Sequence, residues 1–400
     1  MSADRVAIIG HVVAAPNEVE LPDDRNVTAK LLQLQNFTRV VTEDGKLMDH
    51  IAYLKRLQGI PADEVFSVWE MLLCAGLLLR SHLERNGFEV KLINYLDSDN
   101  EAAELADLKE FSPDIIVLST TFVLTKAHLL KVSKRLRKDF AEAFIVAGGH
   151  HVLTTLMYMT AEEKATYLTN AGLDAFIQDS QGEAALLALC QTFPGDLSEV
   201  PNMVWRRPDG SVAHNLRIPE NNDISSTPIE FNDAIADEMP HIRTARSCAF
   251  KCAFCSYPMI AGDLAQMDLD TVMATLWQAK RGGAKAIFFV DDTFNVPRAR
   301  FESLMDRMIE EGLEIPWYSF FRCQYSDQAL IKKMRRTGCV GVFLGVESGS
   351  DQILKNMKKG AIVRFYQDGV RWLNEQGIIT VGSFIIGFPG ETAETVALTQ

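Results

Sequence analysis

Short apolar runs suited to buried strands alternate with helical patterns along most of this chain. In the first half, strands are predicted at residues 6–9, 88–96, 114–120, 143–147 and 174–178. Successive strands with a helix between them pair in parallel, because a parallel connection must cross the length of the sheet. We therefore predict an α/β fold. Its first domain, over residues 1–195, is a doubly wound, Rossmann-like parallel sheet with an irregular insertion near 11–63.

A second series of strand–helix units follows a polar stretch at 196–240, which is predicted to be an interdomain connection carrying one hairpin. Strands in this series are predicted at residues 241–246, 284–290, 317–321, 340–346 and 378–386. The units over 241–400 predict a second domain, as expected for 400 residues at about 150 residues per domain.

The composition excludes several classes of protein. The formal net charge of −13 argues against a general nucleic-acid or anionic-membrane binder, because nothing would offset the repulsion of phosphate. The longest apolar run, 71–79, is too short to span a bilayer. The seven cysteines are an odd number and mostly isolated, so no disulfide framework is indicated and a cytoplasmic location is expected.

Small and polar residues follow three strands of the first domain. Ligands of doubly wound sheets bind outside the carboxyl ends of the strands, so these loops are candidate binding loops, although ordinary turns use the same residue types. The candidate residues are Ser119, Thr120, Thr121, Gly148, Gly149, His150, Gln181, Gly182 and Glu183.

Three cysteines lie within eight positions in the second domain. Cys248, Cys252 and Cys255 are separated by three residues and then by two. Three thiolates on one loop can bind three irons of a [4Fe-4S] cluster, leaving the fourth iron open to a ligand. A structural zinc site usually needs four Cys or His ligands, often in two pairs, and the sequence offers no second pair.

This triplet, with Phe254 before its last cysteine, resembles the Cys-x-x-x-Cys-x-aromatic-Cys signature of radical S-adenosylmethionine (SAM) enzymes. The resemblance covers 241–400 and implies a (β/α)6 barrel, of which five units precede Gln400, so the barrel is expected to be incomplete. It also implies a [4Fe-4S] cluster and SAM as cofactors. Residues implied to bind SAM are Phe254, Asp291 or Asp292, Arg322, Glu347, Ser383 and Ile385.

Each of these SAM residues is implied by its place in the motif. Phe254 would contact the adenine, one of the two aspartates the amino group, Arg322 the carboxylate or ribose, and Glu347 the ribose hydroxyls. The segment 383–390 resembles the family's Gly-x-Ile-x-Gly-x-x-Gly strand, with Ser383 in place of its first glycine. A charged residue at a strand end could instead cap the next helix, and capping is the simpler interpretation of Asp292 taken alone.

The first domain resembles the cobalamin-binding domain found at the front of many radical SAM enzymes. The three small-residue loops match those that surround the corrin and its nucleotide tail. The Asp-x-His-x-x-Gly signature, which supplies a histidine to cobalt in mutases, is absent. The resemblance therefore implies cobalamin bound base-off, without a histidine ligand, although His150 and His151 lie in a candidate loop.

Together the two resemblances imply a cobalamin-dependent radical SAM enzyme, most simply a C-methyltransferase. A 5′-deoxyadenosyl radical would abstract a substrate hydrogen and cobalamin would supply the methyl group. The substrate would be a small molecule or peptide, and an electron donor such as flavodoxin or ferredoxin would reduce the cluster. A radical cyclase with the same cofactors is the alternative reaction, and a zinc-stabilised binding module is the alternative from another class.

Overall fold

The computed structural model describes residues 4–11, 18–20, 39–59, 61, 71–96, 101–123, 125–231 and 235–400. The chain divides into two compact units, Met1–Glu220 and Asn221–Gln400. Among the described residues, no helix is long and apolar enough to cross a membrane.

The first unit contains strands and helices in alternation. Its strands are β1 Arg5–Ile9, β2 Glu18–Glu20, β3 Arg39–Val41, β4 Lys46–Asp49, β5 Glu89–Ile93, β6 Ile115–Ser119, β7 Phe144–Gly148, β8 Ala175–Ile177, β9 Met203–Arg206 and β10 Val212–His214. Its helices are α1 His50–Gln58, α2 Cys74–Arg85, α3 Glu101–Phe111, α4 Lys126–Asp139, α5 His150–Met157, α6 Ala161–Ala171 and α7 Glu183–Thr192.

Seven of these strands form one sheet in the order β10-β9-β8-β7-β6-β1-β5. Strands β5, β1, β6, β7 and β8 are parallel to one another. Strands β9 and β10 pair antiparallel at the β8 end of the sheet. The chain leaves β1 for β5 on one side and returns to β6 on the other. The carboxyl ends of β1 and β6 therefore form the topological switch point, where ligands of such sheets bind.

Alternation along the strands explains why helices cover both faces of this sheet. Ala7 and Ile9 belong to one apolar core, with residues of α3 to α6. Val6 and Ile8 belong to the other core, with residues of α2 and α7. Each fully buried aliphatic side chain stabilises the fold by about 1.5–3 kcal/mol relative to exposure. The doubly wound parallel sheet predicted from the sequence is present.

The structure differs from the sequence-based expectations in three details of the first unit. The hairpin predicted within the connection is β9 and β10, which extend the main sheet, so the compact unit continues to Glu220 rather than ending near 195. The apolar pattern at 66–85 predicts one helix, but α2 begins only at Cys74, because the Asn94 side chain binds both Met71 O and Leu73 N and keeps Leu73 extended. Residues 66–70 lie outside the described part.

The predicted insertion contains some regular structure. Strands β2, β4 and β3 form a small antiparallel sheet, and α1 follows it directly. Much of 11–63 lies outside the described residues, and we assign it no function.

The second unit repeats the strand–helix order. Its strands are β11 His241–Ile242, β12 Ala245–Arg246, β13 Ala265–Gln266, β14 Ile287–Phe289, β15 Trp317–Phe321, β16 Cys339–Glu347 and β17 Ile379–Phe384. Its helices are α8 Tyr257–Ile260, α9 Leu269–Arg281, α10 Arg298–Glu310, α11 Gln328–Arg336, α12 Asp351–Asn356, α13 Val363–Glu375 and α14 Ala393–Ala397.

Five of these strands form a parallel sheet in sequence order, β11-β14-β15-β16-β17. They correspond to the five predicted units, except that the first strand ends at Ile242 and Ala245–Arg246 pairs separately with β13. One face of the sheet packs its aromatic side chains under the helices, with Phe289 stacked on Phe294 and edge-on to Trp317. Because the strands are parallel, their carboxyl ends lie at one edge, which we call the mouth.

Candidate functional site

The cysteine loop begins at the mouth, directly after β12, and Asp291 fixes its start. The Asp291 carboxylate accepts hydrogen bonds from Thr244 N at 2.6 Å, Thr244 Oγ1 at 2.5 Å and Ala245 N at 3.0 Å. Arg300 donates to Thr244 Oγ1 and Thr244 O at 3.2 Å. Of the two aspartates predicted to bind the SAM amino group, Asp291 is therefore occupied by the chain itself.

Asp292 is the aspartate of this pair that solvent reaches. Asp292 is exposed at the mouth. Partial desolvation by the neighbouring protein, together with repulsion from Asp291, raises the pKa of Asp292 to about 7. Such a carboxyl is stabilised in its charged form by a nearby cation, so it is suited to a ligand that carries a positive charge.

The three clustered cysteines are unpaired and differ in burial. Cys252 is 8% exposed, and Cys248 and Cys255 are partly buried. Burial raises the pKa of the Cys248 thiol, so a metal is needed to hold it as a thiolate. Among the described residues, no three His, Cys, Asp or Glu side chains are gathered around a single ion position. A cubane instead binds each cysteine at a different iron, which keeps the thiols apart.

Glu347 and Lys359 form a buried ion pair at the mouth. Lys359 Nζ lies 2.7 Å from Glu347 Oε1, and its ammonium lies 5.5 Å from the centre of the Phe254 ring. Glu347 has a φ of 66°, a strained conformation for a residue with a side chain and one that is common at functional sites. A Cβ on Gly345 would lie 2.5 Å from Glu347 Oε1 and 2.9 Å from Lys359 Nζ. A larger residue at this position would force the ends of these two side chains to move.

The remaining predicted SAM residues lie on neighbouring elements. Phe254 is 39% exposed, and Ser383 on β17 is exposed with its hydroxyl 3.4 Å from Leu344 O. Ile385 is half-buried, and its N–H donates to Glu347 O at 2.9 Å. This backbone bond ties the 383–390 segment to the strand that carries Glu347. Arg322, at the end of β15, is 7% exposed, and its guanidinium contacts Cys252.

In the first unit, the loops after β6 and β7 are joined by Thr120. Thr120 is fully buried. Its backbone N–H and its Oγ1 hydroxyl donate hydrogen bonds to Gly148 O at 2.7 and 2.8 Å, and its carbonyl oxygen accepts one from His151 N. Its side chain therefore positions the loops and is not free for a ligand. Ser119 and Thr121 have hydroxyls 3.2 Å apart at the carboxyl edge and remain candidates for direct contact.

Gly149 makes the close approach between these loops possible. Its φ is 110°, and an added Cβ would lie 3.2 Å from Thr120 N and 3.3 Å from Thr121 N. Gly148 is different, because an added Cβ would meet Ile177 at ordinary contact distance. His150, the first residue of α5, is exposed beside Gly149. The structure separates the roles of the two glycines in this candidate binding loop.

The third predicted loop is engaged with the end of the first unit. Gln181 Nε2 donates to Glu220 O at 2.6 Å, and the Glu220 carboxylate accepts from Ala184 N and Ala185 N at the start of α7. Gly182 precedes α7 with a φ of 80°, and Glu183 is 2% exposed. Glu220 thus occupies the positive end of α7, so an anionic ligand at this edge would have to bind elsewhere.

Two histidines near the switch point are held in the neutral form. His11 follows β1 and lies 5.5 Å from the Phe122 ring, and burial lowers its pKa to about 4. His151 is 8% exposed, lies 3.3 Å from Tyr167 Oη, and burial together with nearby cations lowers its pKa to about 4. In the sequence His11 only interrupts an apolar run that begins at Val6, and its place at the switch point becomes evident from the strand order.

No local sequence pattern marks several residues that support the mouth. Lys359 and Thr244 are bound to the predicted site residues Glu347 and Asp291, which are 12 and 47 positions away in the chain, and Arg300 donates to Thr244 across 56 positions.

Comparison with known proteins agrees with this geometry. Residues 242–399 match the radical SAM superfamily. An uncharacterised methyltransferase of Pyrococcus horikoshii is 29% identical over 339 residues, covering 81% of this chain and 71% of that protein. The anaerobic magnesium-protoporphyrin IX monomethyl ester cyclase of Rubrivivax gelatinosus is 25% identical over 331 residues, 77% of this chain. The chain spans 56% of the cyclase's length.

A solved structure shares the fold. The radical SAM methyltransferase TsrM of Kitasatospora setae, with tryptophan and a SAM analogue bound, superposes with a TM-score of 0.66 at 19% identity, over 84% of this chain and 68% of TsrM. A second TsrM structure, with cobalamin and a [4Fe-4S] cluster bound, has a TM-score of 0.65 at 18% identity. At this level of sequence identity, the similarity to TsrM shows a shared fold and nothing more.

Proposed function

We propose that this chain, whose residues 242–399 match the radical SAM superfamily, is a cobalamin-dependent enzyme that transfers a methyl group from SAM to carbon. The observation that carries the proposal is the combination of two features in one chain. One unit has three unpaired thiols at the mouth of a parallel sheet, and the other has small-residue loops at its carboxyl edge. The methyltransferase from Pyrococcus horikoshii and TsrM support methyl transfer as the outcome.

The residues at the mouth suit a [4Fe-4S] cluster and SAM. Cys248, Cys252 and Cys255 would bind three irons, and the reduced cluster would supply one electron to the SAM sulfonium. Asp292 would bind the SAM amino group, which its raised pKa and exposure support, and the Glu347 carboxylate, held by Lys359, would bind the ribose hydroxyls. The burial of the Glu347–Lys359 pair fixes that carboxylate before SAM arrives.

The loops of the first unit suit cobalamin, which would carry the methyl group. The close approach at Gly149 holds the loops after β6 and β7 together, and the hydroxyls of Ser119 and Thr121 border the same edge. His151 is tied to Tyr167, which supports cobalamin bound without His151 on cobalt. Gly148, His150, Gln181, Gly182 and Glu183 lie at the same edge and remain proposed neighbours of the corrin or its tail.

The cyclase from Rubrivivax gelatinosus supports a second candidate, a radical cyclisation with the same cofactors. A zinc-stabilised module is the candidate from another class. Metal and sulfide analysis after anaerobic purification separates the zinc module from both enzymes, since the enzymes require iron and acid-labile sulfide.

The experiment that tests the proposal combines loading with label transfer. The full chain is reconstituted anaerobically with iron, sulfide and hydroxocobalamin, then incubated with SAM carrying a deuterated methyl group, a one-electron donor such as flavodoxin, and a cell extract of small molecules and peptides. Deuterium in an extract product at carbon is the expected result. Unlabelled product formed with SAM cleavage contradicts methyl transfer and supports the cyclase.

A further inference from the structure

Arg322 is fixed at the mouth by its backbone. The Arg322 N–H donates to Asn295 Oδ1 at 2.9 Å, and Asn295 Nδ2 donates to Arg322 O at 2.8 Å. Asn295 is fully buried, so this pair of bonds sets where the side chain of Arg322 leaves the strand. The guanidinium therefore starts from a rigid position beside the cysteine loop.

Three contacts hold the guanidinium itself. Nη2 donates to Cys252 Sγ at 3.4 Å, Nη1 donates to Lys359 O at 3.1 Å, and Cζ lies 3.6 Å from the centre of the Phe250 ring. Arg322 is 7% exposed. Both terminal nitrogens are thus engaged within the protein, and the face of the group is covered by an aromatic ring, as in cation–π pairs.

These contacts leave Arg322 poorly placed for the role that the sequence resemblance implied, which was to meet the SAM carboxylate or ribose. The geometry assigns it to a cysteine instead. Hydrogen bonds to ligand sulfurs and nearby charge are among the factors that set the reduction potential of an iron–sulfur cluster, because reduction adds negative charge to the cluster.

We propose that Arg322 raises the reduction potential of the cluster through its N–H bond to Cys252, and that Phe250 and Lys359 hold it there. The inference rests on the proposed function, since it requires that Cys252 bind a cluster. It makes Arg322 a positioning and tuning residue that acts through a ligand. An electron donor would then reduce the cluster more readily than it would without this cation.

The test measures the midpoint potential of the reconstituted full chain by a redox titration followed by electron paramagnetic resonance, with dithionite and titanium(III) citrate as reductants. Arg322→Gln removes the charge and the forked donors. Arg322→Lys keeps a charge but cannot reach Cys252 Sγ and Lys359 O while covering Phe250. Lys251→Gln removes an exposed charge next to Cys252 in sequence and serves as the control. Iron and sulfide are counted in every sample.

The expected result is a more negative potential in Arg322→Gln, a smaller shift of the same sign in Arg322→Lys, and the wild-type potential in Lys251→Gln. A loaded Arg322→Gln protein at the wild-type potential overturns the inference alone. If Arg322→Gln does not bind iron, the midpoint potential of Arg322→Lys is the deciding measurement. A wild-type potential in Arg322→Lys overturns the inference. A wild type that binds no [4Fe-4S] cluster overturns the inference and the proposed function together.

Discussion

Lys359 Nζ lies 2.7 Å from Glu347 Oε1, and both residues are less than 10% exposed. The desolvation of two charges offsets much of their attraction, so such a pair adds little net stability, yet removing one partner leaves an unpaired buried charge. The main effect of the pair is therefore to fix the position of the Glu347 carboxylate at the mouth.

The first prediction follows from this asymmetry. Lys359→Met should lower the free energy of unfolding by about 3–5 kcal/mol, because Glu347 is then buried without a partner. Adding Glu347→Gln should restore part of the loss. The measurement is urea-induced unfolding followed by circular dichroism.

Arg364→Met is the matched control for this pair. Arg364 bridges Asp368 on the surface with its side chain 81% exposed, so its loss should cost less than about 1 kcal/mol. If Lys359→Met costs no more than Arg364→Met, the buried pair does not hold the carboxylate as described.

The second prediction concerns Gly149. A leucine there has an unfavourable backbone conformation at a φ of 110° and presses against the backbone nitrogens of Thr120 and Thr121, which displaces the loops after β6 and β7. Affinity for hydroxocobalamin should fall at least about tenfold, equivalent to about 1.4 kcal/mol, while the iron content stays at the wild-type level. Absorption spectra after gel filtration report the bound corrin.

Gly210→Leu controls for backbone strain in the same unit. Gly210 has a φ of 83° in the hairpin turn, and an added Cβ would meet nothing within 4 Å. Equal loss of corrin from both variants would show that backbone strain alone, rather than displacement of the loops at Gly149, is responsible.

The third prediction is a pH dependence. Burial lowers the pKa of His151 to about 4, below its unfolded value of 6.5, so neutral His151 favours the folded state fully above about pH 6.5. That contribution is lost progressively as the pH falls from 6.5 towards 4. The melting temperature of the wild type should therefore drop more steeply than that of His151→Gln between about pH 7 and pH 4.5.

His151→Gln should keep a residual slope, because the pKa of His11 is lowered to about 4 in the same way. His150→Gln, an exposed neighbour, should follow the wild type. Parallel curves for wild type and His151→Gln would mean that His151 does not titrate on unfolding in this range.

The sequence predicts the local parts of this architecture and little of its long-range contacts. Strand–helix alternation gives both parallel sheets, and the spacing of Cys248, Cys252 and Cys255 gives the loop. The pairing of β9 with β8 was not predicted, since a hairpin pattern carries no information about the strand beside it. Arg322 was assigned to SAM, whereas its bond to Cys252 spans 70 positions and depends on how the strands and loop pack.

The most direct test of the account is to replace each cysteine by alanine and measure iron content and the release of 5′-deoxyadenosine from SAM. Cys248→Ala, Cys252→Ala and Cys255→Ala should each abolish SAM cleavage, because one iron loses its protein ligand. Cys323→Ala and Cys339→Ala are the controls. These cysteines are no more than 2% exposed in the apolar core, and burial raises the pKa of both thiols, so these variants should retain iron. Wild-type iron content and cleavage in all three loop variants would contradict the account.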